Sequence, residues 1–237
     1  MGSTIHQIHP TKGTIFEKST TPLLIWFYSM FLFSKSKNGL SASELERQTG
    51  VNYKTAWRIL MKIRQLTNTD TSLNTGVFEL DETFIGGKNK NRHWDKKVAN
   101  SQGRSFKDKT PVFGVYQRGG KVNAYVVDNT KAESLVPIIQ QNVVKDSVVY
   151  TDEWTAYSSL NKDYQHSFVL HNRKQYKFED CCTNGIENFG SVLKRTLGGS
   201  YIHVNKEYLQ QYVNEVAFRY NNRNSEVFNE LVSLISS

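Results

Sequence analysis

The chain has 237 residues, with 30 Lys+Arg against 22 Asp+Glu and a formal net charge of +8. That length suits one medium domain beside a smaller one, and 38% hydrophobic with 12% aromatic residues excludes a largely disordered chain. The basic excess favours polyanionic partners, because each neutralised phosphate releases condensed counterions. Cys181 and Cys182 are adjacent, so neither a CxxC zinc ribbon nor a secreted disulfide framework can be read. The apolar run 23–33, broken by Ser29, falls short of the roughly 20 residues of a membrane span. No small-residue cleavage site follows it, so a core helix in a cytoplasmic protein with no membrane partner is expected.

Residues 1–20 form a polar N-terminal segment without clear periodicity. From 21 to 33 a helix is expected, with Thr20 or Thr21 as its cap and Pro22 in its first turn. Ser41 and Glu44 then have capping-box spacing, and a helix over 42–49 should stop at Gly50. A short turn leads to a helix over 53–66, where Ala56, Ile59, Leu60 and Ile63 fall on one stripe and Lys54, Arg58 and Lys62 on another. Helix, glycine-containing turn and helix with a basic face is the arrangement that sets a helix in the DNA major groove. Residues 21–70 are therefore read as a helix-turn-helix DNA-binding domain, with Lys54, Thr55, Arg58 and Lys62 as contacts. The plainer alternative is a helical hairpin with a solvated lysine face.

After 67–76 the pattern changes. Strands are expected at 77–84, 111–117 and 122–128, with Gly119-Gly120 joining the last two as a hairpin. A helix over 132–144, strands at 147–151 and 168–171, and helices over 183–197 and 206–220 follow. That order fits an α/β fold, a ribonuclease H-like mixed sheet flanked by helices, over 77–223, leaving 224–237 as a C-terminal tail. Between the first two strands, 86–110 is polar and carries Lys88, Lys90, Arg92, Lys96 and Lys97. So long a connection is either a functional arm, here one that grips a phosphate backbone, or simply disordered.

Three acids sit where regular elements can present them together. Asp81 lies in the first strand, Asp152 directly follows the fourth, and Glu187 is near the start of the helix over 183–197. Seventy residues separate the first pair and 34 the second. Hard oxygen ligands on rigid elements are what two divalent ions about 4 Å apart require. In the helix, Ile186, Phe189, Leu193 and Leu197 form a buried stripe, while Glu187, Ser191 and Lys194 share another side. A turn or cap role for Asp152 and a surface pair for Glu187 and Lys194 are the alternatives, and Glu79, Glu82, Asp128 and Glu215 compete as ligands.

The run Glu79-Leu80-Asp81-Glu82-Thr83-Phe84-Ile85-Gly86-Gly87-Lys88 resembles the first catalytic block of the ISXO-like insertion-sequence transposases. Thr151-Asp152-Glu153-Trp154-Thr155-Ala156-Tyr157 resembles the second, and Asn184-Gly185-Ile186-Glu187-Asn188-Phe189 with Leu193-Lys194-Arg195 the third. The stretches around Thr14 to Leu23, Tyr53 to Arg58 and Tyr212 to Arg223 are similar as well, so the resemblance runs from about Gly13 almost to the end. It implies an integrase-like ribonuclease H core of the Asp-Asp-Glu type and two Mg²⁺ or Mn²⁺ ions. Asp81 and Asp152 are implied as ligands, with Glu187 as the third and Asn184 as its alternative. Lys194 would hold substrate phosphate.

The implied activity is cleavage and strand transfer at the terminal repeats of an element, on double-stranded DNA, by a homodimer or larger assembly. A DNA-binding regulator descended from such an enzyme is the alternative function. The sequence departs from the pattern in three places. No CxxC pair precedes Thr14, Cys182 stands where histidine is expected, and Gly190 stands where an aromatic residue is common. A mid-helix glycine costs about 0.5–1 kcal/mol relative to alanine, so a weakened catalytic helix is expected.

Overall fold

In a computed structural model of the chain, the described residues are 10–68, 73, 75–87, 93–99, 105–106, 108–152, 160, 163–169 and 182–235. The chain opens with three helices, α1 (Leu23–Lys35), α2 (Ala42–Thr49) and α3 (Tyr53–Leu66). Pro22 with φ −55° begins α1. The expected threonine cap is not made there, and Thr21 instead accepts a hydrogen bond from Arg58 at 3.2 Å. Ser41 caps α2 by accepting from the Glu44 amide at 3.2 Å, and Gly50 ends the helix at φ 73°, a left-handed conformation that glycine adopts without steric cost. Asn52 caps α3 in the same way, accepting from the Thr55 amide at 2.9 Å.

Trp26, Met30, Phe33, Leu45, Ala56, Ile59, Leu60 and Ile63 make the core of this unit. Two residues from the far end of the chain, Phe218 and Leu231, complete it. The expectation of a core helix over 23–33 holds for one side of α1 only. Leu24 is 79% exposed and Phe31 43% exposed, on the opposite side from Trp26 and Met30. Among the described residues no helix is long and apolar enough to cross a membrane.

The second unit is built on a five-stranded sheet: β1 (Val77–Ile85), β2 (Thr110–Gln117), β3 (Val122–Val126), β4 (Val148–Asp152) and β5 (Gln165–Val169). The spatial order is β3-β2-β1-β4-β5. β1, β2 and β3 form an antiparallel meander, whereas β4 and β5 run parallel to β1. This is the mixed sheet of the ribonuclease H-like fold, with helices on both faces.

Strand alternation decides which helix covers which face. Phe78 and Leu80 of β1, Phe113 and Val115 of β2, and Val149 of β4 pack with Leu135 and Ile139 of α4 (Ala132–Asn142). Val112, Tyr116, Val122 and Ala124 pack on the other face with α5 (Asn184–Thr196) and α6 (Leu209–Asn221). The last helix, α7 (Val227–Ser233), lies where a tail was expected and sets Phe228 6.0 Å from Phe31 of α1.

Two polar features hold these parts in place. The free edge of β3 is covered by amide side chains of α6. Asn221 accepts from the Val122 amide at 2.8 Å and donates to its carbonyl at 2.9 Å, while Gln210 donates to the Ala124 carbonyl at 3.0 Å and accepts from the Val126 amide at 2.6 Å. These amides stand in for a neighbouring strand.

The second feature joins α3 to α6. Arg64, whose side chain is 1% exposed, donates to fully buried Glu215 at 2.8 Å. Arg219 and the Tyr201 hydroxyl also donate to that carboxylate, and Arg219 reaches the Phe33 carbonyl at 2.7 Å. The Arg64 guanidinium lies 4.1 Å from the Tyr212 ring and 5.0 Å from the Tyr201 ring.

Candidate active site

The parallel register of β1 and β4 pairs Glu79 with Tyr150, and two residues further along each strand stand Asp81 and Asp152. Glu79 and Asp81 share one face of β1, as Tyr150 and Asp152 share one face of β4. The two aspartates therefore stand on neighbouring strands, Asp152 at the end of β4 and Asp81 midway along β1. Asp81 Oδ1 accepts from the Glu82 amide at 2.8 Å. The carboxylates of Asp81, Glu82 and Asp152 each offer a ligand atom, and these atoms all lie within 4.8 Å of one another. Glu82 and Asp152 are mostly buried, at 8% and 9% exposure. Ionised carboxylates at that separation repel by roughly 3–4 kcal/mol per pair at a protein-surface dielectric. A cation removes that penalty.

Glu187 comes from another element. It is exposed on the first turn of α5 and accepts from the Thr183 hydroxyl at 2.7 Å. Among the described residues it is not grouped with the three carboxylates. Asn184, at the start of α5, and Lys194, near its end, are also exposed. The expected buried stripe is present, with Ile186, Phe189, Leu193 and Leu197 all in the core. Glu153–Tyr157 of the second block, numbered 153–157, lie outside the described residues.

Glu79 was only one of several competing acids in the sequence, yet it organises the start of α5. It is buried, and its Oε2 accepts from the amides of Gly185 at 2.7 Å and Ile186 at 3.1 Å. Its Oε1 accepts from Arg118 at 3.0 Å, and Arg118 donates onward to the Cys182 carbonyl at 3.0 Å. Burial, the largest single influence, pushes the Arg118 guanidinium down, but the bond to Glu79 together with the neighbouring Cys182, Glu79 and Tyr150 groups more than offsets it, and the net shift is upward. Cys182, the departure from an expected histidine, thus packs against that arginine at 3.1 Å. The alternation of Glu79 with Asp81 in mid-strand was the available signal for its role.

Gly190 also has a structural reason. A Cβ added there would stand 2.3 Å from Thr83 Oγ1, so glycine lets α5 lie directly on β1. The helix runs unbroken through this position, so the propensity lost at the glycine does not interrupt it.

On α3, Lys54 and Lys62 are exposed and Thr55 is half-buried. Arg58 is half-buried too, donating to Ser19 and Thr21 at 3.2 Å, with its guanidinium 5.7 Å from the Trp26 ring. Trp57 packs edge-on to Tyr208 with ring centres 5.5 Å apart, so another side of α3 faces the sheet unit. Of the basic segment 86–110, Lys97 is exposed and Lys96 ends a short turn, Trp94–Lys96. Lys88, Lys90 and Arg92 lie outside the described residues.

The family model of the ISXO2-like transposase domain matches residues 74–221, from just before β1 to the end of α6. The chain belongs to that family. Its relatives include an uncharacterized protein in transposable element ISH50 of Halobacterium salinarum, 26% identical over 216 residues that cover 87% of this chain and 72% of that protein. An uncharacterized transposase-like protein of Haemophilus influenzae is 33% identical over 102 residues, covering 43% of this chain and 82% of the other.

Similar solved structures are more distant. A chain of the simian T-cell lymphotropic virus intasome in complex with PP2A regulatory subunit B56 gamma is 16% identical with a TM-score of 0.34, covering 78% of this chain and 64% of that one. This ISXO2-like chain therefore spans less than two thirds of the intasome chain. The Mos1 strand transfer complex is 9% identical with a TM-score of 0.26, covering 86% of this chain and 77% of that one.

Proposed function

We propose that this transposase binds double-stranded DNA at the terminal repeats of its element and catalyses phosphodiester cleavage followed by strand transfer into target DNA. The observation that carries the reading is the convergence of Asp81 and Glu82, midway along β1, with Asp152 at the end of β4, in a domain of the ISXO2-like family. The donor set is purely carboxylate, the hard-oxygen chemistry that fits Mg²⁺ or Mn²⁺ better than zinc. Two such ions, when bound, supply Lewis-acid activation of the attacking oxygen and offset charge on the leaving oxygen.

The chain's own residues have separable tasks. Asp81, Glu82 and Asp152 hold the ions on two adjacent strands, and Glu187 or Asn184 of α5 completes the set. Lys194, on the same side of α5 as Glu187, steadies a substrate phosphate. Lys54, Thr55, Arg58 and Lys62 of α3 hold the terminal repeat, and the segment 86–110, through Lys88, Lys90, Arg92, Lys96 and Lys97, grips the backbone. Joining two element ends calls for at least two copies of the chain.

The test is Asp152→Asn in the full chain. Mn²⁺-dependent cleavage and strand transfer on an oligonucleotide carrying a terminal repeat should be abolished, while binding to that DNA in a gel-shift assay is retained. Parent-level strand transfer by the variant would sink the reading.

A further inference from the structure

We propose that buried Glu79 and its partner Arg118 form a clamp that sets the first turn of α5 against the middle of β1 and the end of β4, positioning whichever α5 side chain completes the ligand set. The inference rests on the metal-site reading above and adds two positioning residues to it.

The starting point is how α5 is capped. The first amides of a helix have no partner within it and usually find one in the residue at the cap. Thr183 holds that position but makes no cap bond, and its hydroxyl donates to Glu187 instead. The cap comes from β1: Glu79 Oε2 takes the amides of both Gly185 and Ile186. A local cap would stabilise the helix and leave it free to shift as a body. A cap fixed in a central strand, two residues before Asp81, ties the helix start to that aspartate.

The arginine extends the tie to the other strand. Arg118 donates to Glu79 Oε1 and to the Cys182 carbonyl just before α5, and its guanidinium lies 4.9 Å from the Tyr150 ring. Tyr150 is two residues before Asp152 on β4. One ion pair therefore touches the strand of each aspartate and the approach to the helix. The glutamate side chain is 3% exposed, so its charge needs this complete set of donors. The approach is close: a Cβ on Gly185 would lie 2.3 Å from Tyr116 and 2.8 Å from Glu79 Oε2. Placement errors of about 1 Å cost on the order of 100-fold in rate at sites of this kind.

The experiment uses the full chain with Fe²⁺ and ascorbate as the probe, so that hydroxyl radicals cut the backbone beside bound iron. In the parent, cuts are expected near Asp81, near Asp152 and in the first turn of α5. Glu79→Gln keeps the shape but turns a donor toward either the helix amides or Arg118. It should retain the cuts at Asp81 and Asp152 and lose roughly tenfold of the α5 cut, with strand transfer at saturating DNA and Mn²⁺ down about 10–100-fold.

Should Glu79→Gln fail to melt cooperatively, Arg118→Gln, at a partly exposed side chain, makes the same comparison. Equal cutting at all three places in parent and variant overturns the clamp, as does loss of all three cuts together in a folded variant. A parent that is cut at neither Asp81 nor Asp152 overturns the metal-site reading itself.

Discussion

Gly190 and Thr83 illustrate how single residues decide where a helix can lie. Replacing Gly190 with alanine improves intrinsic helix propensity by up to about 1 kcal/mol but drives a methyl into Thr83 Oγ1, at 2.3 Å. Overpacking of this kind costs about 1–3 kcal/mol, so Gly190→Ala should lower the melting temperature by a few degrees. A thermal melt reads it directly, and an unchanged or raised midpoint would mean that α5 can retreat from β1. The position also shows what was hidden in the sequence. A mid-helix glycine has the same letter whether it weakens a helix or permits an approach, and only the residue opposite distinguishes them. Asp81 and Asp152 could be singled out as candidates because one is an acid midway along the first strand and the other closes a short strand. Glu82 beside Asp81 was legible only as one of four competing acids, since neighbouring strand residues ordinarily point to opposite faces.

Among the elements, α2 and α3 occur over the same residues that the sequence implied, because Ser41, Gly50 and Asn52 mark their ends with local hydrogen bonds and a left-handed turn. β5 was harder. It runs over Gln165–Val169 rather than 168–171, and its first three residues are polar at a sheet edge, where no burial imposes alternation. The α6 region likewise opens with a tight turn over Lys206–Tyr208 before the helix proper. What no local pattern could show is that α3, beside its apolar stripe and its exposed lysine side, also turns Trp57 toward the sheet unit. Lys54→Ala and Lys62→Ala should each weaken DNA binding across sequences and reduce the salt slope by about 1 in a titration of affinity against salt concentration. An unchanged slope in both variants would place the backbone contacts elsewhere.

At the scale of the molecule, the two units are joined by a buried charge cluster. Burial pushes the Glu215 carboxyl up, but Arg64, Arg219 and the Tyr201 hydroxyl more than compensate, and its pKa lies below the ordinary range. A carboxyl depressed in the folded state contributes stability above its unfolded pKa, about 4.3, and loses it as pH falls through the folded value. Glu215→Gln should therefore destabilise the chain near neutral pH by about 3–5 kcal/mol, since Arg64 would keep its charge with no counter-charge of full strength. The variant's stability should also fall less steeply than the parent's below about pH 4. Urea unfolding at neutral and acid pH measures both effects, and parallel pH curves would assign the acid sensitivity to other carboxylates.

The same joint has a consequence for the order in which the molecule can be completed. Phe218 and Leu231 belong to the core around α1, α2 and α3, so these helices wait for residues made much later. Until α6 arrives, the edge of β3 also lacks Asn221 and Gln210. A nascent chain thus carries a greasy surface on its first helices and, once β3 is made, an edge ready to pair with a stray strand; α6 closes the edge, and α6 and α7 together close the core.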